Sequence, residues 1–368
     1  MKRVGFLWDK VISIENIKEA HKHARKDKSF YREVKMVDAD IDYYAKEIHE
    51  MLINKTYQVS EYKIQMINDK GKERKLMKLQ YYPDRIIQWA IMLQMEPVFM
   101  RVFCYHTCAS LPNRGIDRAW RLMRKYLKDR KGTRYCLKID VKKFYDSINH
   151  EKLKEKLRRI VKDNDLLWLL DTIIDSYPGD VGVPIGSYLS QYFANFYLAD
   201  FDHYIKEDMQ MKYMIRYMDD CVILARTKFL LHNVLDEVKC FLHDELLELK
   251  RNYQIFSTGT RGIDFVGYRF FHNYTLLRKK SIKALRRLCY NIIANMHKGK
   301  MINYTQFCGI NSYIGLLQYC NGFGLYDVYI ESVKPAVFTY YKNRLTKSKA
   351  RIKRFENKFN SKKGVMIA

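Results

Sequence analysis

The strongest constraint in this sequence is the tetrapeptide Tyr217-Met218-Asp219-Asp220. A short strand runs up to Tyr217, and an apolar strand leaves from Cys221 to Ala225. Two such runs joined by a tight turn read as a β-hairpin, which puts Asp219 and Asp220 near its tip. Taken alone the string is weak, because four residues of this kind also arise by chance. It gains meaning from a distant partner. Residues 134–140 alternate in character: Tyr135, Leu137 and Ile139 face one side, Lys138 and Asp140 the other. That pattern predicts a strand ending at Asp140. A single strand-end Asp is usually a cap or turn residue. An antiparallel sheet, however, could bring all three carboxylates together. Clustered carboxylates repel one another unless protons or cations relieve them. Hard oxygen ligands of this type select Mg²⁺.

The rest of the chain must support such a site. At 368 residues it can hold two or three substructures, and its 48% hydrophobic content can build a sizeable core and argues against global disorder. Lys and Arg total 67 against 41 Asp and Glu, a formal net charge of +26. A fold with that much self-repulsion suits a polyanionic partner. The 29 tyrosines, interleaved with basic residues, suit stacking on bases, although many will serve the core. Eight cysteines are scattered. Cys104 and Cys108 flank His106, but no second ligand pair of zinc-site spacing follows, so reduced and mostly buried thiols are expected. The apolar stretch after Met1-Lys2-Arg3 is broken at Asp9 and Lys10, so no secretory signal is expected. No run of about 20 apolar residues occurs, so no membrane span is expected and a cytoplasmic location follows.

Periodicity predicts helices over 14–26 and 41–53, then a strand over 61–68 turning at Asn68-Asp69-Lys70-Gly71. Pro83-Asp84 opens a helix to about Met95. A helix at 150–161 has Asn149 as its cap. Pro178, Gly179, Gly182, Pro184 and Gly186 make 177–187 a loop. Helices follow at about Tyr188–Glu207 and 229–247, and Gly262–Tyr268 reads as a further short hairpin. From about Ser281 the chain becomes basic and helical. The run from Tyr341 to Lys363, with Lys347, Lys349, Arg351, Lys353 and Arg354, is expected to track phosphates.

These residues carry a family resemblance. The stretch Leu137-Lys138-Ile139-Asp140-Val141-Lys142-Lys143-Phe144-Tyr145-Asp146-Ser147-Ile148 resembles the first carboxylate motif of reverse transcriptases, and Tyr217 to Asp220 resembles the second. The resemblance implies an α+β right-hand polymerase with fingers, a palm built on an antiparallel sheet, and a helical thumb. It implies that Asp140 and Asp219 bind two Mg²⁺ ions, for which Mn²⁺ can substitute, and that Asp220 completes the catalytic set. The ions would activate a primer 3′-hydroxyl and stabilise the leaving pyrophosphate. Tyr145 matches the aromatic gate that excludes a ribose 2′-hydroxyl. Lys63 and Arg74 match fingers residues that grip the triphosphate of an incoming dNTP. Asp84-Arg85-Ile86-Ile87-Gln88 matches the fingers-to-palm helix, and Gly262, Phe265, Gly267 and Tyr268 the primer grip. The implied domains are N-terminal helices and fingers at 1–130, palm at 131–275, thumb at 276–345 and a basic tail at 346–368. The implied partners are template RNA and the cDNA product.

The segment Val183-Pro184-Ile185-Gly186-Ser187-Tyr188-Leu189-Ser190-Gln191 narrows the resemblance. Most reverse transcriptases place Gln-Gly where this chain has Ile185-Gly186. The Ile-Gly form with Ser190-Gln191 is similar to diversity-generating retroelement enzymes, as are Phe193-Ala194-Asn195-Phe196-Tyr197-Leu198 and Leu276-Leu277-Arg278. That likeness adds Ile185, Gly186 and Gln191 to the nucleotide site. It also implies misincorporation opposite template adenines and a small basic accessory protein. Ser187-Tyr188-Leu189 departs from the commoner Asn-Leu-Thr, and Asp117 stands where His is usual. The alternatives are an antiphage defence enzyme that copies a structured non-coding RNA, and an inactive RNA-binding scaffold. A group II intron enzyme is less expected, because no maturase or endonuclease extension follows the thumb.

Overall fold

A computed structural model describes residues 2–69, 72–346 and 348–364. The chain forms two units. The first comprises Met1–Gly115, Leu137–Ile223 and His232–Gln254; the second comprises Ile116–Cys136, Leu224–Leu231 and Ile255–Ala368. The architecture is α+β, as expected.

In the first unit, helix Ile14–Ala24 begins where the Ser13 side chain accepts from the Asn16 N–H. Helix Ile41–Ile53 begins the same way, with Asp40 accepting from Tyr43. Ile17, Ala20 and Ala24 are buried at helical spacing. Two strands follow, β1 (Lys63–Asp69) and β2 (Lys72–Lys78), antiparallel, with Lys63 opposite Lys78 and Ile67 opposite Arg74. The expected turn at 68–71 falls partly outside the described residues.

The next helix corrects the sequence reading at both ends. Pro83-Asp84 lies in a separate helical turn, Tyr81–Arg85, in which Tyr82 is extended (φ −108°, ψ 132°). The helix proper, Ile86–Val102, runs through Pro97 instead of stopping near Met95. Proline within a helix costs about 3 kcal/mol. Ile86, Ile87, Ala90, Ile91, Met95, Val98 and Phe99 are all buried here, and each large side chain contributes roughly 1.5–3 kcal/mol. Burial outweighs the proline.

The central sheet contains β3 (Tyr135–Asp140), β4 (Tyr213–Tyr217), β5 (Asp220–Ala225) and β6 (Gln254–Ser257), in the order β4-β5-β3-β6. In β3, Leu137 and Ile139 are buried and Lys138 and Asp140 half-exposed, as the alternation predicted, whereas at the start of the strand Tyr135 is half-exposed and Cys136 buried, against it. Helix His150–Arg158 is capped by Asn149, whose side chain accepts from the Lys152 N–H. The single helix expected from Tyr188 to Glu207 is broken at Leu198 (φ −94°, ψ 10°) into Tyr188–Tyr197, capped by Ser187, and Ala199–His203, which continues as a wider helical turn over Tyr204–Asp208 and so ends close to the expected residue. Residues 192 to 199 are all buried, so no polar face marks where the helical phase is lost.

In the second unit, β7 (Ile263–Phe265), β8 (Tyr268–Phe270) and β9 (Thr275–Leu277) form an antiparallel sheet in sequence order. The β7–β8 turn has Val266 at φ +41° and Gly267 at φ +93°, the left-handed backbone that two-residue hairpins require. Helix Lys279–His297 buries Leu285, Cys289 and Ile292. It contains no acidic residue, and Lys279, Lys280, Lys283, Arg286, Arg287 and Tyr290 are all exposed. Helix Tyr304–Leu317 starts in a capping box between Asn303 and Gln306. Helix Lys349–Gly364 covers most of the basic run, with Phe355 stacked on Tyr341 at 3.9 Å. No described helix is long and apolar enough to cross a membrane.

Candidate active site

The sheet order places β3 beside β5, and this brings Asp140 to Asp219. The Val141 N–H donates to the Asp219 carbonyl (3.2 Å), and the Lys250 N–H donates to the Asp140 carbonyl (2.9 Å). At the hairpin tip Met218 has φ +57°, a left-handed conformation uncommon for a side chain of this kind. The Asp219 carboxyl is pushed up to about 6, by burial first and then by the negative charge of Asp140, with which it can share a proton. The ammonium of Lys250 lies 2.6 Å from Asp140 Oδ1. Asp220 is turned to Lys138, with Oδ2 3.3 Å from Nζ.

The three carboxylates therefore divide into a close pair and a third engaged elsewhere. Among the described residues no three His, Cys, Asp or Glu side chains stand close enough together to hold a metal ion. The Asp140–Asp219 pair fits a divalent cation, because two adjacent, partly buried and mutually repelling carboxylates gain from positive charge between them.

The other expected residues of the first unit are close by in part. Tyr145 follows Lys143 (φ +45°) in the short helix Phe144–Ser147. Its hydroxyl donates to Met218 Sδ at 3.7 Å, and burial, followed by the charge of Asp219, raises its phenol further. The Val183 N–H donates to the Tyr145 carbonyl (2.9 Å), tying the 177–187 loop to this wall. The Met77 N–H donates to the Ile185 carbonyl at 3.3 Å, so β2 is tied to the same loop. Gly186 has φ +117°, which a side chain would strain. Lys63 is exposed. By the β1–β2 register it stands four positions from the residue opposite Arg74, about 13 Å along the hairpin. The Arg74 side chain lies outside the described residues.

Gly186 and Gln191 line a cavity of about 420 Å³ together with Lys26, Lys28, Arg85 and Gln88. Gln88 Oε1 accepts from Ser187 (2.5 Å), while its buried Nε2 has no hydrogen-bond partner among the described residues. Burial lowers both Lys28 and Arg85. The cavity thus offers cations, the Asp27 carboxylate and one buried amide donor to a polar guest.

The expected primer-grip residues belong to the second unit. Phe265 and Tyr268 are buried there, and the Tyr268 hydroxyl donates to the Leu316 carbonyl (3.0 Å). A Cβ on Gly262 would lie 2.6 Å from the Phe271 ring.

Sequence reasoning missed Lys250, the cavity cations Lys26 and Lys28, and a buried pair, Arg216–Asp202, beneath the hairpin. Lys250 sits after an isolated bridge between Val141 and Leu249, which leaves no periodic signal. A charged residue inside the apolar strand before Tyr217 was a signal for Arg216.

A strand-end carboxylate thus faces a hairpin-tip carboxylate in an α+β fold, as the resemblance to polymerases implies. Comparison with known proteins agrees: the model of the reverse transcriptase (RNA-dependent DNA polymerase) family matches residues 53–270. The chain belongs to the reverse transcriptase family. Among similar proteins, Protein YkfC of Escherichia coli is 26% identical over 241 residues, 54% of this chain and 62% of that protein. An uncharacterized 91 kDa protein in a cob intron of Schizosaccharomyces pombe is 28% identical over 131 residues, 33% of this chain and 16% of that protein. The structure of telomerase from Candida albicans in complex with telomeric RNA aligns over 88% of this chain and 64% of that one, with 13% identity and a TM-score of 0.49. The chain spans less than two thirds of the length of each of these relatives.

Proposed function

We propose that this reverse transcriptase adds dNTPs to a primer 3′-hydroxyl at Asp140 and Asp219, with Asp220 completing the set, copying a dedicated RNA into error-prone cDNA in a diversity-generating retroelement. The observation that carries the catalytic reading is the close Asp140–Asp219 pair inside the family-matched segment. Mg²⁺ or Mn²⁺ bound there would lower the cost of deprotonating the hydroxyl and of releasing pyrophosphate. The protein's own part is positioning. Tyr145 walls the sugar site beside Met218 and Asp219. The loop at Ile185-Gly186, tied to β2, borders the nascent base pair, and Lys63 and Arg74 offer charge to the triphosphate. The cations of the Arg85 cavity suit the template backbone. In this reading fingers, palm, thumb and tail occupy 1–130, 131–275, 276–345 and 346–368.

Primer extension tests the catalytic reading. Failure to incorporate any dNTP on any RNA template, with either Mg²⁺ or Mn²⁺, would leave an RNA-binding scaffold. Sequencing the nucleic acid made in cells, with its bound RNA, tests the biological reading. Errors concentrated at template adenines support the diversity-generating role and would accompany a small basic accessory protein. Faithful or repetitive copies of a structured non-coding RNA point to antiphage defence.

The Ile185 side chain can neither donate nor accept a hydrogen bond, unlike the Gln of most relatives. Ile185→Gln should reduce errors opposite adenine roughly tenfold, read by sequencing cDNA from a defined template. An unchanged adenine bias would remove this account of infidelity. The acid-free face of helix Lys279–His297 suits phosphate binding, with Tyr290 exposed among the cations for stacking. Changing Lys279, Lys283, Arg286 and Arg287 to Gln should weaken binding to an RNA–DNA hybrid. The slope of log affinity against log salt should fall by about one unit for each phosphate-bound cation removed, with the melting temperature unchanged.

A further inference from the structure

Beneath the hairpin tip lies a charged group that the reaction does not itself use. Arg216 precedes Tyr217 in β4, and its side chain is 1% exposed. All five of its N–H donors are occupied. Nε and Nη2 grip the two oxygens of Asp202, each at 2.6 Å. Nη2 also donates to the Asn195 carbonyl (3.2 Å), and Nη1 to Asn195 Oδ1 (3.3 Å). The remaining donor of Nη1 reaches the Met218 carbonyl at 2.9 Å. Asp202 is held in turn by the Thr107 hydroxyl (2.5 Å), and Asn195 Nδ2 donates to the Ala109 carbonyl (2.9 Å). Asp202, Asn195 and Thr107 are fully buried.

This network ends on one atom that matters to the site. The Met218 carbonyl belongs to the peptide that joins Met218 to Asp219, and Met218 is held at φ +57°. A left-handed conformation at a residue with a side chain persists only when its surroundings over-determine it. Only a planar guanidinium can hold Asp202 bidentately and still aim a donor at that carbonyl. Asp202 balances its charge, so the cation does not compete for the carboxylates.

We infer that Arg216 is a positioning residue: clamped by Asp202 and Asn195, it fixes the Met218–Asp219 peptide and so aims the Asp219 carboxylate at Asp140. The inference rests on the catalytic reading above.

The test compares Arg216→Lys with the double variant Arg216→Met/Asp202→Leu. Exchanging a buried ion pair for apolar side chains often leaves stability intact, which separates aiming from folding. Four quantities are read: melting temperature, affinity for a primed RNA template, single-turnover dNTP incorporation, and Mn²⁺ affinity without nucleotide by electron paramagnetic resonance. The expected result is near-native melting and RNA affinity in the double variant. Incorporation should be about 10²-fold slower and Mn²⁺ binding about tenfold weaker. Arg216→Lys, which keeps the charge but not the fork, should show the same split and decides the matter if the double variant does not fold. Native Mn²⁺ affinity in folded variants overturns the inference, as does a rate that falls only in step with melting temperature. If wild type incorporates no dNTP, the catalytic reading fails, and Mn²⁺ affinity alone still decides whether Arg216 aims Asp219.

Discussion

Asp219→Asn is expected to slow dNTP incorporation on the order of 10⁴-fold while making the protein free of divalent ions more stable. The two effects have one cause. Asp219 lies against Asp140 and is substantially buried, so its charge is opposed by both desolvation and repulsion. The amide has nearly the same shape and carries no charge, so both penalties disappear. The same neutrality removes a hard anionic ligand. A 10⁴-fold loss corresponds to about 5.4 kcal/mol of transition-state stabilisation. Single-turnover primer extension reads the rate. Thermal melts with and without Mg²⁺ read the rest: the ion should stabilise wild type and leave the variant unmoved. A variant of native activity, or one stabilised by Mg²⁺ as wild type is, would place the metal elsewhere. Asp220→Asn should cost less, because Asp220 already has Lys138 as a partner.

Tyr145→Ala should open the site to ribonucleotides. The ring lies against Met218 and close to Asp219, with its hydroxyl donating to Met218 Sδ. Its carbonyl is held by Val183, so the backbone cannot retreat when the ring is removed. Deoxy over ribo preference should fall about 10²-fold, or roughly 2.7 kcal/mol. Tyr145→Phe keeps the ring and should keep the selectivity, since the effect is steric. Competing rNTP and dNTP incorporation on one primed RNA provides the measurement. Equal selectivity in wild type and Tyr145→Ala would remove the gate role. Some loss of stability accompanies the alanine, because a largely buried ring is deleted.

The two halves of the candidate site differed in how readily the sequence revealed them. The hairpin and β3 were legible because alternation and turn chemistry act between neighbours in the chain. The expected cap at Asn149 forms by the same local rules. The helix through Pro97 was not legible, since burial on several sides overrode a local penalty. Nor was the break at Leu198, where apolar residues continue in every direction.

Sequence alone determined that two carboxylates stand at a hairpin tip, that another ends a strand, and that a basic chain surrounds them. Resemblance supplied the polymerase reading that these residues support. The tertiary structure decided which carboxylates meet: Asp219 pairs with Asp140, while Asp220 turns to Lys138. It also decided that Lys250 shares Asp140 and that Arg216 is spent on Asp202, Asn195 and the Met218 carbonyl. The reason is physical. Strands and turns are selected by interactions a few residues long, whereas charges held close together in a buried site endure only because the apolar sheet around them outweighs their cost.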